Sequence, residues 1–367
     1  MAKIQITLVG GQTTPVYQGI IHTNPDRVIL VNSTLSENEA DRIHAEMKVD
    51  CTMLRFDPVD LTMIKEAVLK LKSSLSSEDQ ISINVSSGTK TWALLFYEFF
   101  NTLPNTTLFV VDQNNLVWTF KTYSKSEVAF DMDVQFRLLG NPLKNYIKID
   151  DYTELDAAAI KEIRQLRKFN YRDFNSMTEY LFRFPNEKVA TGSSGSTINW
   201  DPSSKSFAVS MFDKKGNQLS KTLYSEHIRN LLLNTGWFEY ETALLLSKWT
   251  KTKQLRMNCV FPTNNGSPKN EIDIIINTGS KLLFVECKTQ IKNETDIDKF
   301  AAAVKIYGGL GSKALFVTDT PMTEKAIEKC NDHSIMFFCV QSNLMEEQVS
   351  GLLFQLLESV LFKLNTK

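Results

Sequence analysis

The residues best placed to do chemistry lie in NEIDIIINTGSKLLFVECKTQ, positions 270–290. Two hydrophobic runs, Ile272–Ile276 and Leu282–Val285, flank Asn277-Thr278-Gly279-Ser280, a turn composition, and the pattern predicts a β-hairpin. Side chains alternate along a strand, so Glu286 and Lys288 share one face and Cys287 points to the other. Across the turn Glu271 and Asp273 share a face, and hairpin pairing brings Asp273 beside Glu286. Charges on buried strands are costly unless they are paired or hold a metal. Two carboxylates and a water suit Mg²⁺ or Mn²⁺, which prefer oxygen ligands. Such an ion polarises a phosphoryl oxygen and acidifies bound water, and the Lys288 ammonium can orient that water or offset developing charge. Upstream, Glu239 in Gly236-Trp237-Phe238-Glu239 stands on a helix leading into the sheet, a natural place for another metal-site carboxylate. The structural alternative is a buried salt bridge between Lys288 and one of the acids.

These groups must be held by a scaffold, and the 367-residue chain is long enough for two domains or slightly more. Residues 1–149 alternate strand and helix patterns, as parallel sheets with covering helices do. Strand-like runs occupy 4–9, 27–32, 52–56, 81–86 and 106–112, and helical segments 15–23, 37–48, 61–75 and 91–103. In DLTMIKEAVLKLKSSL, Leu61, Ile64, Val68, Leu71 and Leu75 form one apolar stripe, with Asp60 as N-cap. Residues 150–224 read as a connecting subdomain: helical patterns to 188, the Gly/Ser-rich turn region ATGSSGSTINWDPSSKS, and a hairpin turning at Asp213–Gly216. Residues 225–367 read as helix, three strands, helix, strand, helix, strand, helix, with IRNLLLNTGWFEYETALLLSKW as the first helix. The expected fold class is therefore α/β in both halves.

Composition excludes some partners. Hydrophobic residues make up 43% and charged residues 23%, and the formal net charge of −1 announces no bulk attraction to nucleic acid, so any such site must be local. The cysteines (Cys51, Cys259, Cys287, Cys330, Cys339) form no CxxC pair; reduced thiols in a cytoplasmic protein are expected. The start MAKIQITLVGG is strand-like, and neither a signal peptide nor a membrane span is expected.

A second informative stretch is ISINVSSGTKTWALLFYEFF (81–100): a strand, then Ser86-Ser87-Gly88-Thr89-Lys90, then a helix. In open parallel sheets ligands bind at the carboxyl ends of strands, where helix N-termini offer N–H groups to phosphates. Gly88 permits close approach, Ser87 and Thr89 offer hydroxyls, and Lys90 can meet a phosphate. The first strand ends similarly in Gly10-Gly11-Gln12-Thr13-Thr14, and the second in Asn32-Ser33-Thr34. No GxGxxG or Walker motif occurs. Read alone, the loop is better explained as a helix cap than as a ligand loop.

The helix with Glu239, then Asp273, then Glu286-x-Lys288 on consecutive strands resembles the PD-(D/E)xK nuclease superfamily, with Ile272-Asp273 where the name has a proline–aspartate pair. A Rossmann-like domain whose fourth strand ends in Asn-Val-Ser-Ser-Gly-Thr-Lys resembles the CARF domain of CRISPR-associated effectors. Together, over essentially the full length, the chain resembles the cyclic-oligoadenylate-activated ancillary nucleases of type III CRISPR defence. The resemblance implies an N-terminal Rossmann-like CARF domain (1–149), a connector (150–224) and a C-terminal PD-(D/E)xK restriction-endonuclease-like domain (225–367). It implies a metal-dependent endonuclease, with Asp273, Glu286 and Glu239 at a Mn²⁺ or Mg²⁺ ion and Lys288 as the catalytic lysine. It implies a homodimer that binds a cyclic oligoadenylate, cyclic tetra-adenylate favoured, across its two-fold axis. Ser87, Gly88, Thr89 and Lys90 match the ligand loop; Gln12, Thr13, Thr14 and Ser33 match by place. Single-stranded RNA or DNA and nicked duplex all remain open as substrates.

Other signals are weaker. None of His22, His44, His227 and His333 lies four to six residues after an arginine, so a metal-independent ribonuclease of the kind that often accompanies CARF is not expected. Arg164, Arg167 and Lys168 read as a solvated face, and Lys248, Lys251, Lys253 and Arg256 as substrate contacts. Trp237 and Trp249 are stacking platforms or core. Two alternatives stand beside the gated nuclease: a ligand-responsive transcription regulator using the connector as a winged helix, and an ungated repair or restriction-type nuclease.

Overall fold

The computed structural model describes residues 1–129, 131–262, 271–291, 293–309, 311–340 and 345–362; Asn270, which opens the hairpin stretch, lies outside them. In the first region β1 (Lys3–Leu8), α1 (Thr14–Thr23), β2 (Arg27–Asn32), α2 (Glu37–Glu46), β3 (Asp50–Arg55), α3 (Leu61–Ser73), β4 (Gln80–Asn84), α4 (Lys90–Phe100) and β5 (Thr106–Val111) alternate as the hydrophobic periodicity predicts. Asp60 caps α3 by accepting from the Thr62 and Met63 amides at 2.9 and 3.1 Å. The sequence did not signal β6 (Leu116–Thr119), β7 (Lys125–Glu127) or α5 (Met132–Leu138). The sheet order is β3-β2-β1-β4-β5-β6-β7, parallel through β5 and antiparallel beyond. The chain thus winds outward from β1 to β3, then returns to place β4 against the other side of β1. That reversal creates a crevice between the carboxyl ends of β1 and β4.

β8 (Asn145–Ile147) pairs not with this sheet but with the third one, so the chain crosses over before residue 149. The connector contains α6 (Glu154–Phe169), α7 (Tyr171–Arg183) and an antiparallel sheet of β9 (Val189–Thr191), β10 (Thr197–Asp201), β11 (Ser206–Phe212) and β12 (Gln218–Tyr224). The Gly/Ser-rich segment is therefore not all turn: β9 ends in it and β10 lies within it, because Ile198 and Ala190 are buried in the core that the helices cover.

The next segment, expected as one helix, is two. α8 (Ile228–Leu233) and α9 (Gly236–Ser247) are separated at Thr235, which adopts a left-handed φ of 61°. Gly236 lies so close to α8 that a Cβ there would meet Asn230 Nδ2 at 2.8 Å and Asn230 O at 3.0 Å. The break lets α9 run along the sheet with Glu239 in its first turn. β13 (Gln254–Val260), β14 (Glu271–Asn277), β15 (Leu282–Lys288), α10 (Thr295–Tyr307), β16 (Lys313–Thr318), α11 (Glu324–Asp332), β17 (Met336–Cys339) and α12 (Glu346–Leu361) complete the chain. Their sheet runs β17-β16-β15-β14-β13-β8, antiparallel from β15 to β8 and parallel from β15 to β17. One face packs on α6–α9 and α12, the other on α10, α11 and α5, so both faces are buried. No helix among the described residues is long and apolar enough to cross a membrane, and the five cysteines are free thiols.

Candidate active site

The β14–β15 hairpin forms in the expected register, its last ladder pair being Ile274 with Val285, and Asp273 and Glu286 come next, where pairing stops. Here the alternation of both neighbouring strands reverses. Ile274 and Met257 pack in one core, while Ile272 and Cys259, two positions along, pack in the other. Asn258 absorbs the change in β13 by taking φ 48°, a conformation asparagine tolerates better than most residues. β14 and β15 are unpaired beyond this point, and a cavity of about 360 Å³ lies between their ends, α9 and α10. Glu239, Asn258, Glu271, Asp273, Glu286 and Lys288 all line it, so the four expected catalytic residues converge.

Their contacts are specific. Lys288 Nζ stands 2.5 Å from Glu286 Oε1 and 3.8 Å from Asp273 Oδ2. The Cys287 amide donates to Asp273 Oδ2 at 2.7 Å, and Asn258 Nδ2 donates to Glu239 Oε2 at 3.0 Å. The Cys287 thiol points into the core, as alternation requires. Burial lifts the Glu239 carboxyl well above its usual range, and the neighbouring Asp273 lifts it further. Burial likewise raises Asp273, against the pull of Lys288 and the Cys287 amide. Glu286 is pushed up to about 7 by burial and then by Asp273. Burial alone would pull Lys288 down, but Asp273 and Glu286 outweigh it and hold the ammonium above its ordinary range. Five acids (Glu239, Glu271, Asp273, Glu286 and Asp296) and two lysines (Lys288 and Lys299) line the cavity, an excess of carboxylates over ammonium groups.

Among the described residues no three His, Cys, Asp or Glu side chains stand in a ready-made metal cluster; the Lys288 ammonium draws Glu286 to itself instead. The donor set nevertheless fits a hard divalent cation: carboxylate oxygens, an uncompensated charge, and the buried Oδ1 of Asn258, which has no hydrogen-bond partner. Asn258 was not singled out from sequence. Its one signal is a polar residue in the middle of the apolar run LRMNCVF.

In the first region, structure joins what sequence kept apart. The Gly10 amide donates to Ser87 Oγ at 3.0 Å, and a Cβ on Gly10 would meet the Gly88 nitrogen at 2.8 Å. The loops after β1 and β4 therefore pack against each other at the crevice. Gly88 has φ 78°, Thr89 caps α4 through the Trp92 amide at 3.1 Å, and Lys90 is exposed. Gln12 is exposed, Thr14 is half-buried in α1, and both line, with Thr13, a cavity of about 500 Å³ that faces Lys281 and Leu282. Thr13 is buried and gives its hydroxyl hydrogen to Leu138 O at 2.9 Å. Ser33 is buried too, its hydroxyl accepting from the Leu35 amide at 3.2 Å.

The basic runs do other work than expected. Arg164 pairs with Glu241 at 2.7 Å, Arg167 pairs with Asp319, and both guanidinium groups lie over the Trp237 ring, at 5.8 and 5.2 Å. The two arginines bind α6 to α9 and to the end of β16, whereas Lys168 of the same run is exposed. Lys248 pairs with Glu346, Lys251 lies over Phe362, and Arg256 lies over Tyr146; none of these, nor Lys253, lines the catalytic cavity. Trp237 and Trp249 are both 2% exposed and serve packing. The connector's hairpin belongs to a four-stranded sheet, and Arg164 and Arg167 of α6 are engaged with Glu241 and Asp319.

Comparison with known proteins bears on the first region most directly. Residues 4–139 match the family model of the Card1 CARF domain. No curated protein matches the chain in sequence. Among solved structures, Can2 from Sulfobacillus thermosulfidooxidans in complex with cyclic tetra-adenylate matches with a TM-score of 0.70 at 17% identity, covering 98% of this chain and 100% of that one. Protein VC1899 from Vibrio cholerae matches with a TM-score of 0.74 at 14% identity, over 96% of this chain and 97% of its own. A type III CRISPR defence DNA nuclease activated by cyclic oligoadenylate matches with a TM-score of 0.57 at 18% identity, over 87% of this chain but 45% of that one, so this chain spans under half of that nuclease. At these identities the likeness is one of fold, and it extends from the CARF-matching region through the connector to the third sheet.

Proposed function

We propose that this chain is a cyclic-oligoadenylate-gated, metal-dependent endonuclease of type III CRISPR antiviral defence, acting as a homodimer. The observation that carries the reading is the end of the β14–β15 hairpin, where Glu239, Asp273 and Glu286 face one cavity and Lys288 stands beside Asp273 and Glu286. Asp273, Glu286 and Glu239 would hold Mn²⁺ or Mg²⁺, with Asn258 Oδ1 beside them. Such an ion, when bound, supplies Lewis-acid polarisation of a phosphoryl oxygen and a lowered pKa for bound water. The chain's own groups do the rest. The Cys287 amide fixes the Asp273 carboxylate, Asn258 fixes Glu239, and the Lys288 ammonium stands where it can offset charge gathering on a phosphoryl oxygen.

Gating has a physical route. The crevice between β1 and β4 is where an open parallel sheet receives ligands, and its neutral turns and the α4 N-terminus suit a phosphate-bearing ring. The same β14–β15 hairpin that carries the acids at one end touches the CARF-matching region at the other, where Asn115 Nδ2 donates to Ser280 O. A ligand that shifts the first region against this turn acts on the strand bearing Asp273. Fold similarity to Can2 in its cyclic tetra-adenylate complex supports that ring as the activator.

The test is cleavage of labelled single-stranded RNA, single-stranded DNA and supercoiled plasmid in Mn²⁺, with and without cyclic tetra- or hexa-adenylate. Ring-dependent cleavage that disappears in Glu286→Ala and Lys288→Ala is expected. Cleavage without the ring removes the gating claim, and ring binding with no cleavage of any substrate removes the nuclease claim.

A further inference from the structure

The wall of the catalytic cavity formed by Asn230 and Asn234 is also the wall of a second cavity, of about 470 Å³. The end of α7 and one face of α8 line it, and Leu181, Phe182 and Leu233 give it an apolar floor. Phe182 is 56% exposed, an aromatic ring left largely in water beside a charged site. His227, Arg229 and Glu226, whose carboxylate is paired with Lys205, stand at the edge. The imidazole is held rigidly: its Nδ1 lies 3.2 Å from both oxygens of Asp156, a wholly buried carboxylate, and the Tyr152 ring packs on it at 4.9 Å. Asp156 is itself fixed by the Thr153 amide at 2.7 Å and hydroxyl at 3.0 Å. Nδ1 being so engaged, Nε2 is the polar atom of the ring left for a partner. Arg229 is exposed, donates to Pro185 O at 3.2 Å and lies over the Trp200 ring at 6.0 Å.

We propose that this second cavity is a substrate subsite that receives an unpaired nucleobase of the strand being cut. The base stacks on Phe182, and a neighbouring phosphate meets Arg229 and the Nε2 edge of His227. The inference rests on the nuclease reading and sharpens it. A π-face is common to every base, so an exposed ring recognises single strands without choosing sequence. In a duplex the bases are stacked inside and cannot enter without flipping out. Asn230 and Asn234 line both cavities, so a base held in the second lies next to the catalytic one. The subsite thus favours single-stranded nucleic acid, RNA or DNA, over intact duplex.

The experiment compares the full-length wild type with Phe182→Ala, Phe182→Trp and Glu286→Ala, in Mn²⁺ and cyclic tetra-adenylate. Each is assayed on one labelled oligonucleotide, as RNA and as DNA, single-stranded and annealed to its complement. Phe182→Ala is expected to raise KM for the single strand about tenfold, within the range of one lost base–aromatic stack, with kcat and the residual duplex cleavage little changed. Phe182→Trp is expected to restore KM, and melting temperatures to agree because the ring is exposed. Equal losses on strand and duplex, or no loss on either, overturn the subsite. If wild-type cleavage vanishes in Glu286→Ala yet is untouched in Phe182→Ala, the nuclease reading stands and only the subsite falls. If the wild type cuts neither form, both fall.

Discussion

Asp173 and Asp273 are both buried carboxylates, at 2% and 8% exposure, and both accept from backbone amides, yet their surroundings drive them in opposite directions. Asp173 sits in the first turn of α7, wrapped by the Gly192–Ser196 turn. The Ser193 amide and hydroxyl donate at 3.2 and 2.9 Å, the Ser194 amide donates at 2.9 Å, and the Ser194 hydroxyl donates as well. Burial would raise this acid, but those donors outweigh burial and take it down to about 2. Gly192 is required there, since a Cβ would meet Asp173 Oδ2 at 2.4 Å. Asp273 has one amide and a lysine at 3.8 Å, with other acids close by, and burial wins. A carboxylate surrounded by enough donors holds a turn in place. One that is buried with rival acids and too few donors costs stability, and such a cost marks a site kept for chemistry.

The largest effect that tests this contrast belongs to Glu239→Gln. Cleavage should fall on the order of 10²- to 10³-fold, as when one electrostatic group of an active site is lost. In chelator the same variant should be about 1 kcal/mol more stable, because a neutral amide keeps the Asn258 neighbourhood and sheds the buried charge. The raised carboxyl makes the native state weaker as pH climbs above the ordinary glutamate range, so the stability gain should grow with pH. Denaturant titration across pH measures it; a loss of stability would mean that Glu239 is structural.

Asp173→Asn should act in the reverse sense, lowering stability by about 2 kcal/mol near neutral pH with cleavage chemistry intact. The sign follows from the depressed pKa. Wild type holds this contribution above the ordinary value of 3.8 and loses it as pH falls toward about 2. The variant should therefore lack that part of the acid-unfolding limb, and a parallel limb in both proteins would break the contrast.

The smallest effect is expected at the ligand crevice, where Thr13, Ser87 and Thr89 already have backbone partners. Lys90→Ala removes an exposed charge from the α4 N-terminus and should weaken cyclic tetra-adenylate binding about tenfold, read by calorimetry, without moving the melting temperature. Unchanged affinity would exclude Lys90 from the ligand contact.

Much of this was legible locally. Period-2 and period-3.6 patterns located the strands and helices of the first sheet to within a few residues, and the β14–β15 hairpin in full, because each is decided by residues adjacent in the chain. Asp60 and Thr89 declared themselves as caps for the same reason. The basic runs misled because charge in a sequence carries no partner: Arg164 and Arg167 find theirs on Glu241 and Asp319, far along the chain. The TGSSGST segment resembled an idle loop until Asp173, some twenty residues earlier, was seen inside it.

By itself, the sequence of this protein determined the alternating elements from β1 to β5, the β14–β15 hairpin, the α/β class of both halves and the shared face of Glu286 and Lys288, since backbone periodicity and side-chain alternation act over a few residues. Tertiary structure alone decided that β1 lies against β4, so that Gly10 meets Ser87, and that β8 leaves the first region to pair with β13. It alone broke the helix at Thr235, turned Glu239 toward Asp273 and left Phe182 exposed beside the catalytic cavity. Each of those outcomes depends on which distant surfaces bury one another, and the free energy of that burial is shared across the whole core rather than written at any one position.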